Sequence, residues 1–441
     1  MGLHNATAAK GEALAAASPS PYPHFMNPMH SRRNALLVFL AFAAAYFFSA
    51  LVRGTTATLA PAFVQDLALS SAQLGLLAGA YFLGFAAMQL PMGQWLDRHG
   101  PRRVEASFLA AAAIGCLGFS LADSFNSLLA ARLLCGAGFA ACLMAPLTGF
   151  RRWLTPAAQL RNNSWMLMTG SLGMLAATLP VQWLMPLFGW RGIFLGLSAL
   201  VTLAAVMVLW RVPPWPAIVN EPPSGASAAQ DAGQGMGSYQ QVWRHPYFRA
   251  LAPMGFFCYG GLLAVQALWA GPWMVRVGGQ SALQAASGLF FINLGMLLTF
   301  WAWGVLNPKL AGMGWPVNRL MAWGMPLSFA LLLANILLGS SGGWWAWALY
   351  CMSCSCVTLS QPALGLAFPA ALAGRALSAF NLVLFLGVFC VQWSVGAMID
   401  GFKAAGAAEV QAYQGAMSVL LLCCLASYAW FMRSASDNPQ P

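Results

Sequence analysis

The sequence predicts an all-α integral membrane protein with about twelve transmembrane helices in two pseudo-symmetric six-helix bundles. Of the 441 residues, 60% are hydrophobic and only 7% are charged, whereas a soluble domain carries about 25% charged residues. The apolar residues form runs near the ~20 residues that a spanning helix needs. The runs fall into two parts of similar size, since 34–210 contains 177 residues and 246–432 contains 187.

The chain order is a polar tail, six apolar runs, a linker, six more runs and a second tail. The composition of 1–33 predicts a disordered cytoplasmic tail, 211–245 a flexible cytoplasmic linker, and 433–441 a cytoplasmic tail. Each run should be a helix, because lipid offers no partners for backbone polar groups. The predicted helices are 34–62, 72–95, 104–122, 127–149, 163–186 and 191–210, then 248–272, 283–306, 318–339, 343–369, 376–399 and 412–432.

Two glycines at matching positions suggest that the halves arose by duplication. Gly93 lies 59 residues into the first half and Gly304 lies 58 into the second. Both are predicted to close the second helix of their half and to open a basic turn. Internal repeats of this kind are typical of transporters.

The positive charges predict the orientation. Sixteen Lys and Arg residues fall on the side of the tails and linker, and 3 fall in the opposite loops. Positive charge favours the cytoplasmic side, so we expect both termini inside the inner membrane of a bacterial host. The net charge of +11 is spread over short loops, which argues against a nucleic-acid partner. The ten cysteines lie within apolar runs and indicate buried packing, not a metal site.

A basic turn follows the second predicted helix, Gly93-Gln94-Trp95-Leu96-Asp97-Arg98-His99-Gly100-Pro101-Arg102-Arg103. It resembles the signature loop of the major facilitator superfamily, Gly-x-Leu-Ala-Asp-Arg-x-Gly-Arg-Arg. The glycines, the acid and the arginines match in register, whereas Trp95, Leu96 and Pro101 depart. The fourth helix adds Arg132-Leu133-Leu134-Cys135-Gly136-Ala137-Gly138, which is similar to that superfamily's Arg-x-x-x-Gly-x-Gly pattern.

The resemblance implies a gating role for these residues. It implies that Asp97 docks against the N-terminus of the eleventh helix, near Leu377, and closes the cytoplasmic side. A helix N-terminus stabilises a carboxylate by about 0.3–1 kcal/mol. The predicted gating residues are Gly93, Asp97, Arg98, Gly100, Arg102, Arg103 and Arg132. The alternative for the loop arginines is that they only anchor the topology. For Arg132, structural support or gating is favoured over substrate contact.

Charge inside the membrane marks function by default, and only Arg53 and Arg132 are predicted there. No Asp, Glu or His is expected mid-membrane, and Glu105 is placed at the inner end of the third helix. On the first helix, Tyr46, Ser49, Arg53 and Thr56 share one face. Such a face suits an anion, and several organic-anion and nitrate carriers of the superfamily resemble it in keeping an Arg on the first helix. The alternative is an Arg bound to backbone carbonyls or extended outward.

Polar residues of the second half complete the predicted substrate site. They are Tyr259, Gln266, Gln361 and Asn381. Tyr259 and Gln266 are the stronger candidates, because pseudo-symmetry aligns their helix with the helix of Arg53. The alternative for the amides is hydrogen bonding between helices.

We therefore expect a secondary active transporter that moves a small organic anion, a carboxylate or a sulfonate, by alternating access. It should need no cofactor or metal, act as a monomer in the lipid bilayer, and use a coupling proton, a sodium ion or a counter-anion. The alternative is a proton-coupled drug or metabolite exporter. Such exporters usually carry a Gly-Pro-x-x-Gly-Gly stretch on the fifth helix and buried carboxylates, and neither is seen here. An enzyme would need buried acid, base or metal residues.

Overall fold

The computed structural model describes residues 32–215 and 239–437. The predicted N-terminal tail up to residue 31, linker residues 216–238 and residues 438–441 lie outside the described ranges. The described residues fold into helices and turns, without strands. This confirms the all-α membrane class.

A short helical segment at 239–244 lies within the predicted linker. Besides it, twelve longer helical stretches follow one another along the described residues. They are α1 (Arg32–Leu67), α2 and α3 (71–99 and 101–120, the arms of Ser71–Ser120), α4 (Phe125–Phe139 and Met144–Trp153), α5 (Pro156–Ala176 and 179–188), α6 (190–211), α7 (Pro246–Arg276), α8 (Ala282–Gly312), α9 (Val317–Leu338), α10 (Trp344–Cys354, Ser355–Leu359 and Ser360–Ala367), α11 (Ala370–Ala404) and α12 (Glu409–Asp437). Gly100 and Gly189 make the sharp turns between adjoining helices, with φ of 75° and 60°, a region that glycine enters without strain.

Two of the twelve stretches are not candidate spans in their own right. Ten helical stretches of the described chain are long and apolar enough to cross a membrane, and α5 and α10 are the two that do not qualify as unbroken helices. In α5 the break falls at residues 177–178, and in α10 a 3₁₀ segment covers Ser355–Leu359. Pro180 and Pro362 follow these breaks and cannot donate a backbone hydrogen bond, which interrupts a regular helix.

The expected role of two glycines as helix ends is wrong. α2 continues past Gly93 to residue 99, and α8 continues past Gly304 to Gly312. No atom lies within 4 Å of a Cβ built at either position. Because a single glycine is tolerated inside a helix at a modest energetic cost, its presence did not fix the boundary.

Glycines bring α2 and α4 into backbone contact within the first bundle. A Cβ on Gly136 would lie 1.9 Å from the carbonyl oxygen of Tyr81, and one on Gly84 would lie 2.2 Å from that of Leu133. Small residues permit such close approach between membrane helices. This contact sets the position of α4, and therefore of Arg132, relative to the other helices of its bundle.

The two bundles meet along α2 and α11. A Cβ on Gly75 would lie 2.3 Å from the carbonyl oxygen of Gln392, and one on Gly396 would lie 2.1 Å from that of Ser71. Further along the pair, the rings of Phe85 and Phe385 have centroids 4.7 Å apart. The contact thus extends from the beginning of α2 to about its middle.

An acid of the second bundle caps the first turn of α2. The carboxylate of Asp400 accepts hydrogen bonds from the backbone N–H groups of Ser71, at 3.1 Å, and Ala72, at 2.7 Å. A negative charge at a helix N-terminus is favourable because the N–H groups there lack helical partners. We call this side of the protein the Asp400 end.

The opposite side, which we call the Asp97 end, differs. Asp97 is exposed and, within the described ranges, it forms no hydrogen bond or ion pair. Its docking near Leu377 is not present in this conformation and remains a prediction for the alternative one. The bundles are therefore joined by α2 and α11 at the Asp400 end, while Asp97 is free at the other.

The glycine contact between α2 and α4 should be essential for stability. Replacement Gly136→Ala should destabilise the protein by about 1–3 kcal/mol, the usual range for overpacking. Gly196→Ala in α6 is the matched control, since no atom lies within 4 Å of its Cβ. Thermal unfolding in detergent, followed by tryptophan fluorescence, measures the difference. Equal unfolding midpoints for the two variants would contradict the packing described.

Candidate functional site

Arg53 lies on α1 at the junction of the bundles. Its side chain is partly exposed, and its buried Nε atom has no hydrogen-bond partner. Among the described residues the guanidinium forms no hydrogen bond or ion pair. It lies within electrostatic range of the phenols of Tyr46, Tyr81 and Tyr259. Tyr259 belongs to the second bundle, so the predicted alignment of α1 and α7 brings these two candidates together.

Arg132, by contrast, is fully partnered at its terminal nitrogens. It is 1% exposed and donates hydrogen bonds to the carbonyl oxygens of Val52, at 3.0 Å, and Arg53, at 3.3 Å. Its guanidinium carbon also lies 4.9 Å from the ring centroid of Tyr81, within the range of a cation–π interaction. This geometry supports the predicted structural role, because Arg132 ties α4 to the backbone of α1.

The two guanidiniums are also within electrostatic range of each other. Two like charges in a poorly hydrated site repel each other. The carbonyl groups and the Tyr81 ring disperse the charge of Arg132, whereas the charge of Arg53 has no protein counterpart among the described residues. The site can therefore accept one negative charge at Arg53.

The remaining residues predicted on α1 surround Arg53 in different ways. Tyr46 packs against α5, where a Cβ on Gly170 would lie 2.4 Å from its ring. The Ser49 hydroxyl lies 3.2 Å from the Tyr81 hydroxyl, and the buried Thr56 hydroxyl has no partner. The Thr56 hydroxyl is therefore both enclosed and unpaired among the described residues.

The predicted amides of the second half are paired with other amides. The Nε2 atom of Gln266 donates to Oδ1 of Asn293 at 2.9 Å, and Nε2 of Gln361 donates to Oδ1 of Asn381 at 2.7 Å. These bonds tie α7 to α8 and α10 to α11, which is the alternative role expected for such amides. Substrate contact by Gln266, Gln361 and Asn381 remains a prediction.

Two π-helical segments interrupt α7 at the candidate residues. Tyr259 closes the segment Gly255–Tyr259, and Gln266 lies in Val265–Trp269. Each π turn adds a residue and rotates the helix face, and such turns are frequent at functional sites. The hydropathy and motif patterns of the sequence do not predict them.

The signature loop is held by the beginning of the linker. A Cβ on Gly100 would lie 2.2 Å from the Cβ of Trp215, and the guanidinium of Arg152 lies 4.5 Å from the Trp215 ring centroid. The side chains of Arg98 and Arg103 are exposed and that of Arg102 is partly buried. Gly100 thus provides both a turn and the space for Trp215.

Two residues of importance were missed by the sequence reasoning. Tyr81 contacts both Arg132 and Ser49, but it belongs to α2, whose polar residues form no recognisable face. Glu105, placed at a helix end, is 0% exposed and both of its carboxyl oxygens lack a partner. The position of Glu105 along the chain predicted how deep in the membrane it lies. It did not predict that neighbouring helices enclose the side chain.

Comparison with known proteins agrees with this architecture. The sequence profile of the Major Facilitator Superfamily matches residues 42–391. The chain is 27% identical to the 4-hydroxybenzoate transporter PcaK of Pseudomonas aeruginosa over 69% of its own length and 74% of that protein. It is 27% identical to the probable sulfoacetate transporter SauU of Cupriavidus necator over 51% of its own length and 53% of that protein.

A solved structure shares the fold. It is a bacterial homologue of the human lysosomal transporter Spinster in an inward-facing, unoccupied conformation, with a TM-score of 0.75 and 18% identity over 93% of this chain and 100% of that one. The family match and the transporters among the relatives identify a multi-pass membrane transporter and not an enzyme. The chain belongs to the Major Facilitator Superfamily and resembles its organic-anion carriers.

Loss of the Asp400 charge should favour separation of the bundles at that end. Asp400→Asn removes a charge–helix interaction worth about 1 kcal/mol, so the ratio of separated to closed molecules should rise roughly fivefold. Electron–electron double resonance between spin labels at Gln65→Cys and Ala405→Cys would measure this, with the partly exposed Cys390 and Cys423 replaced by Ser. Asp123→Asn, an exposed acid within one bundle, is the control. An unchanged distance distribution in Asp400→Asn would contradict the proposed cap.

Proposed function

We propose that this protein is a secondary active transporter that moves a small organic anion, a carboxylate or a sulfonate, by alternating access. The observation that carries the proposal is the guanidinium of Arg53, which lies between the bundles with no hydrogen bond or ion pair among the described residues. A cation in such a place is costly unless a counter-charge arrives. An anionic substrate supplies that charge while it is bound.

The chemistry of the site favours a planar or branched oxyanion. A guanidinium can donate two parallel hydrogen bonds to a carboxylate or sulfonate, which is stronger and more directional than a single point charge. The phenols of Tyr46 and Tyr259 can donate further bonds from opposite bundles. A ligand held by groups of both bundles would link occupancy to closure.

The named substrates of the relatives support the same class. The curated relatives are named for 4-hydroxybenzoate, hexuronate, niacin and sulfoacetate. All four compounds carry a carboxylate, and sulfoacetate also carries a sulfonate. We infer that the present chain also recognises an acid group, with Arg53 as its partner.

Alternating access is supported by acids at opposite ends of the same helix pair. Asp400, near the end of α11, caps the beginning of α2. Asp97, near the end of α2, is the residue expected to dock at the beginning of α11 in the other conformation. The distribution of Lys and Arg favours a cytoplasmic location for the Asp97 end, both termini and the linker. In that orientation the Asp400 end, where the bundles are joined, faces the outer side of the inner membrane. The conformation is then closed on the outer side.

Uptake into proteoliposomes tests the proposed function. A panel of 4-hydroxybenzoate, nicotinate, galacturonate and sulfoacetate should include a substrate, whereas the neutral 4-hydroxybenzamide should not be moved. Arg53→Lys keeps the charge but loses the two-bond geometry, so uptake of the preferred anion should fall about tenfold, as expected for loss of one charged hydrogen bond. Arg53→Ala should abolish specific uptake.

Arg132→Ala is the comparison variant for this experiment. It should reduce the yield of folded protein, because it unties α4 from α1, and its effect should appear in thermal unfolding as well as in uptake. Transport of the same anion by Arg53→Ala at the wild-type rate would refute the anion-carrier proposal. Transport of cationic drugs instead of anions would favour the exporter alternative.

A further inference from the structure

Glu105 is a buried carboxyl group without a partner. It lies on α3, is 0% exposed, and neither of its oxygens receives a hydrogen bond from the described residues. The thiol of Cys142 on α4 lies within electrostatic range of it. Among the described residues, no Lys, Arg or His forms a hydrogen bond or ion pair with its carboxyl oxygens.

These surroundings determine which form of the group is stable. An ionised carboxylate that is enclosed, unpaired and without hydrogen bonds loses its hydration with no compensation. The protonated form avoids that loss, so Glu105 carries a proton in this conformation. A glutamate kept only for hydrogen bonding would have a partner, as the amides of Gln266 and Gln361 do.

Cys142 connects Glu105 to the surroundings of Arg53. The Cys142 thiol is within electrostatic range of Glu105 and also of the phenols of Tyr46 and Tyr81. Those two phenols are in turn within range of Arg53. The carboxyl group and the substrate site therefore belong to one neighbourhood of the first bundle, on either side of Cys142.

The helix between them is interrupted at this point. α4 leaves α-helical geometry at residues 140–143, where Ala140 and Cys142 donate to the carbonyl groups of residues three positions earlier. Pro146 lacks the N–H that would bond the Cys142 carbonyl, which weakens the helix here. A break of this type is a position at which the cytoplasmic part of α4 can move and uncover Glu105.

We propose that Glu105 is the binding site of a coupling proton, so that one proton moves with each substrate anion. The inference rests on the proposed function and deepens it by naming the coupling ion. The carboxylate takes up a proton from water on the outer side, carries it as the neutral acid in the enclosed state seen here, and returns it to cytoplasmic water when α4 moves. With a monovalent anion the complete step transfers no net charge.

The test uses proteoliposomes and 4-hydroxybenzoate as the labelled anion. With one proton per anion, a gradient of about one pH unit supports about tenfold accumulation in wild type. Glu105→Gln imitates the protonated group and cannot release its proton. It should reduce accumulation to about onefold, while exchange of internal for external 4-hydroxybenzoate, which needs no net proton movement, stays near the wild-type rate.

The matched control is Glu409→Gln. Glu409 is an acid on α12 that is 40% exposed and forms an ion pair with Lys403, so wild-type accumulation is expected. If Glu105→Gln accumulates the anion as wild type does, the proton site is refuted although the anion-carrier proposal stands. If wild type moves no anion of the panel, the proposed function itself fails.

A measurement on the unaltered protein covers the case in which Glu105→Gln does not fold. Dicyclohexylcarbodiimide reacts with protonated carboxyl groups in apolar surroundings. During turnover it should modify Glu105, identified by peptide mass spectrometry, and should inhibit accumulation driven by the pH gradient in proportion to labelling. Full inhibition without modification of Glu105, or modification without loss of accumulation, would overturn the assignment.

Discussion

The guanidinium groups of Arg53 and Arg132 lie within electrostatic range of each other, and the site is organised by the difference between them. Arg132 donates hydrogen bonds to two carbonyl groups of α1 and lies against the Tyr81 ring, whereas Arg53 forms no hydrogen bond or ion pair with a described residue. The difference depends on the glycine contact between α2 and α4, because that contact brings Arg132 within reach of α1. Packing in one helix pair therefore leaves the neighbouring cation available to a ligand.

The helix α2 connects this site with both ends of the protein. It carries Tyr81 beside the two arginines, its beginning is capped by Asp400 of the other bundle, and Asp97 lies near its end. In the proposed cycle, a shift of α2 that breaks the cap at one end brings Asp97 towards α11 at the other. This single element offers a physical route by which ligand binding changes which side is closed.

Hydropathy and loop charge were sufficient to predict the fold class, because a lipid environment allows few alternatives to helices. The hydrogen bonds of Arg132 to the backbone of α1 support its predicted structural role, which stays a prediction. The sequence did not predict the breaks in α5 and α10 or the π turns at Tyr259 and Gln266, because these features depend on packing between helices. The burial of Glu105 was missed for the same reason: a sequence gives depth along a helix but not lateral enclosure.

The central claim is that the charge of Arg53 is complementary to the charge of the substrate. A thermodynamic cycle tests it directly, by measuring binding of 4-hydroxybenzoate and the neutral 4-hydroxybenzamide to purified wild type and Arg53→Ala. Wild type should prefer the benzoate by about 1.5–3 kcal/mol, the value of hydrogen bonds to charged groups, and Arg53→Ala should lose that preference. A preference for the benzoate that is unchanged in Arg53→Ala would contradict the account.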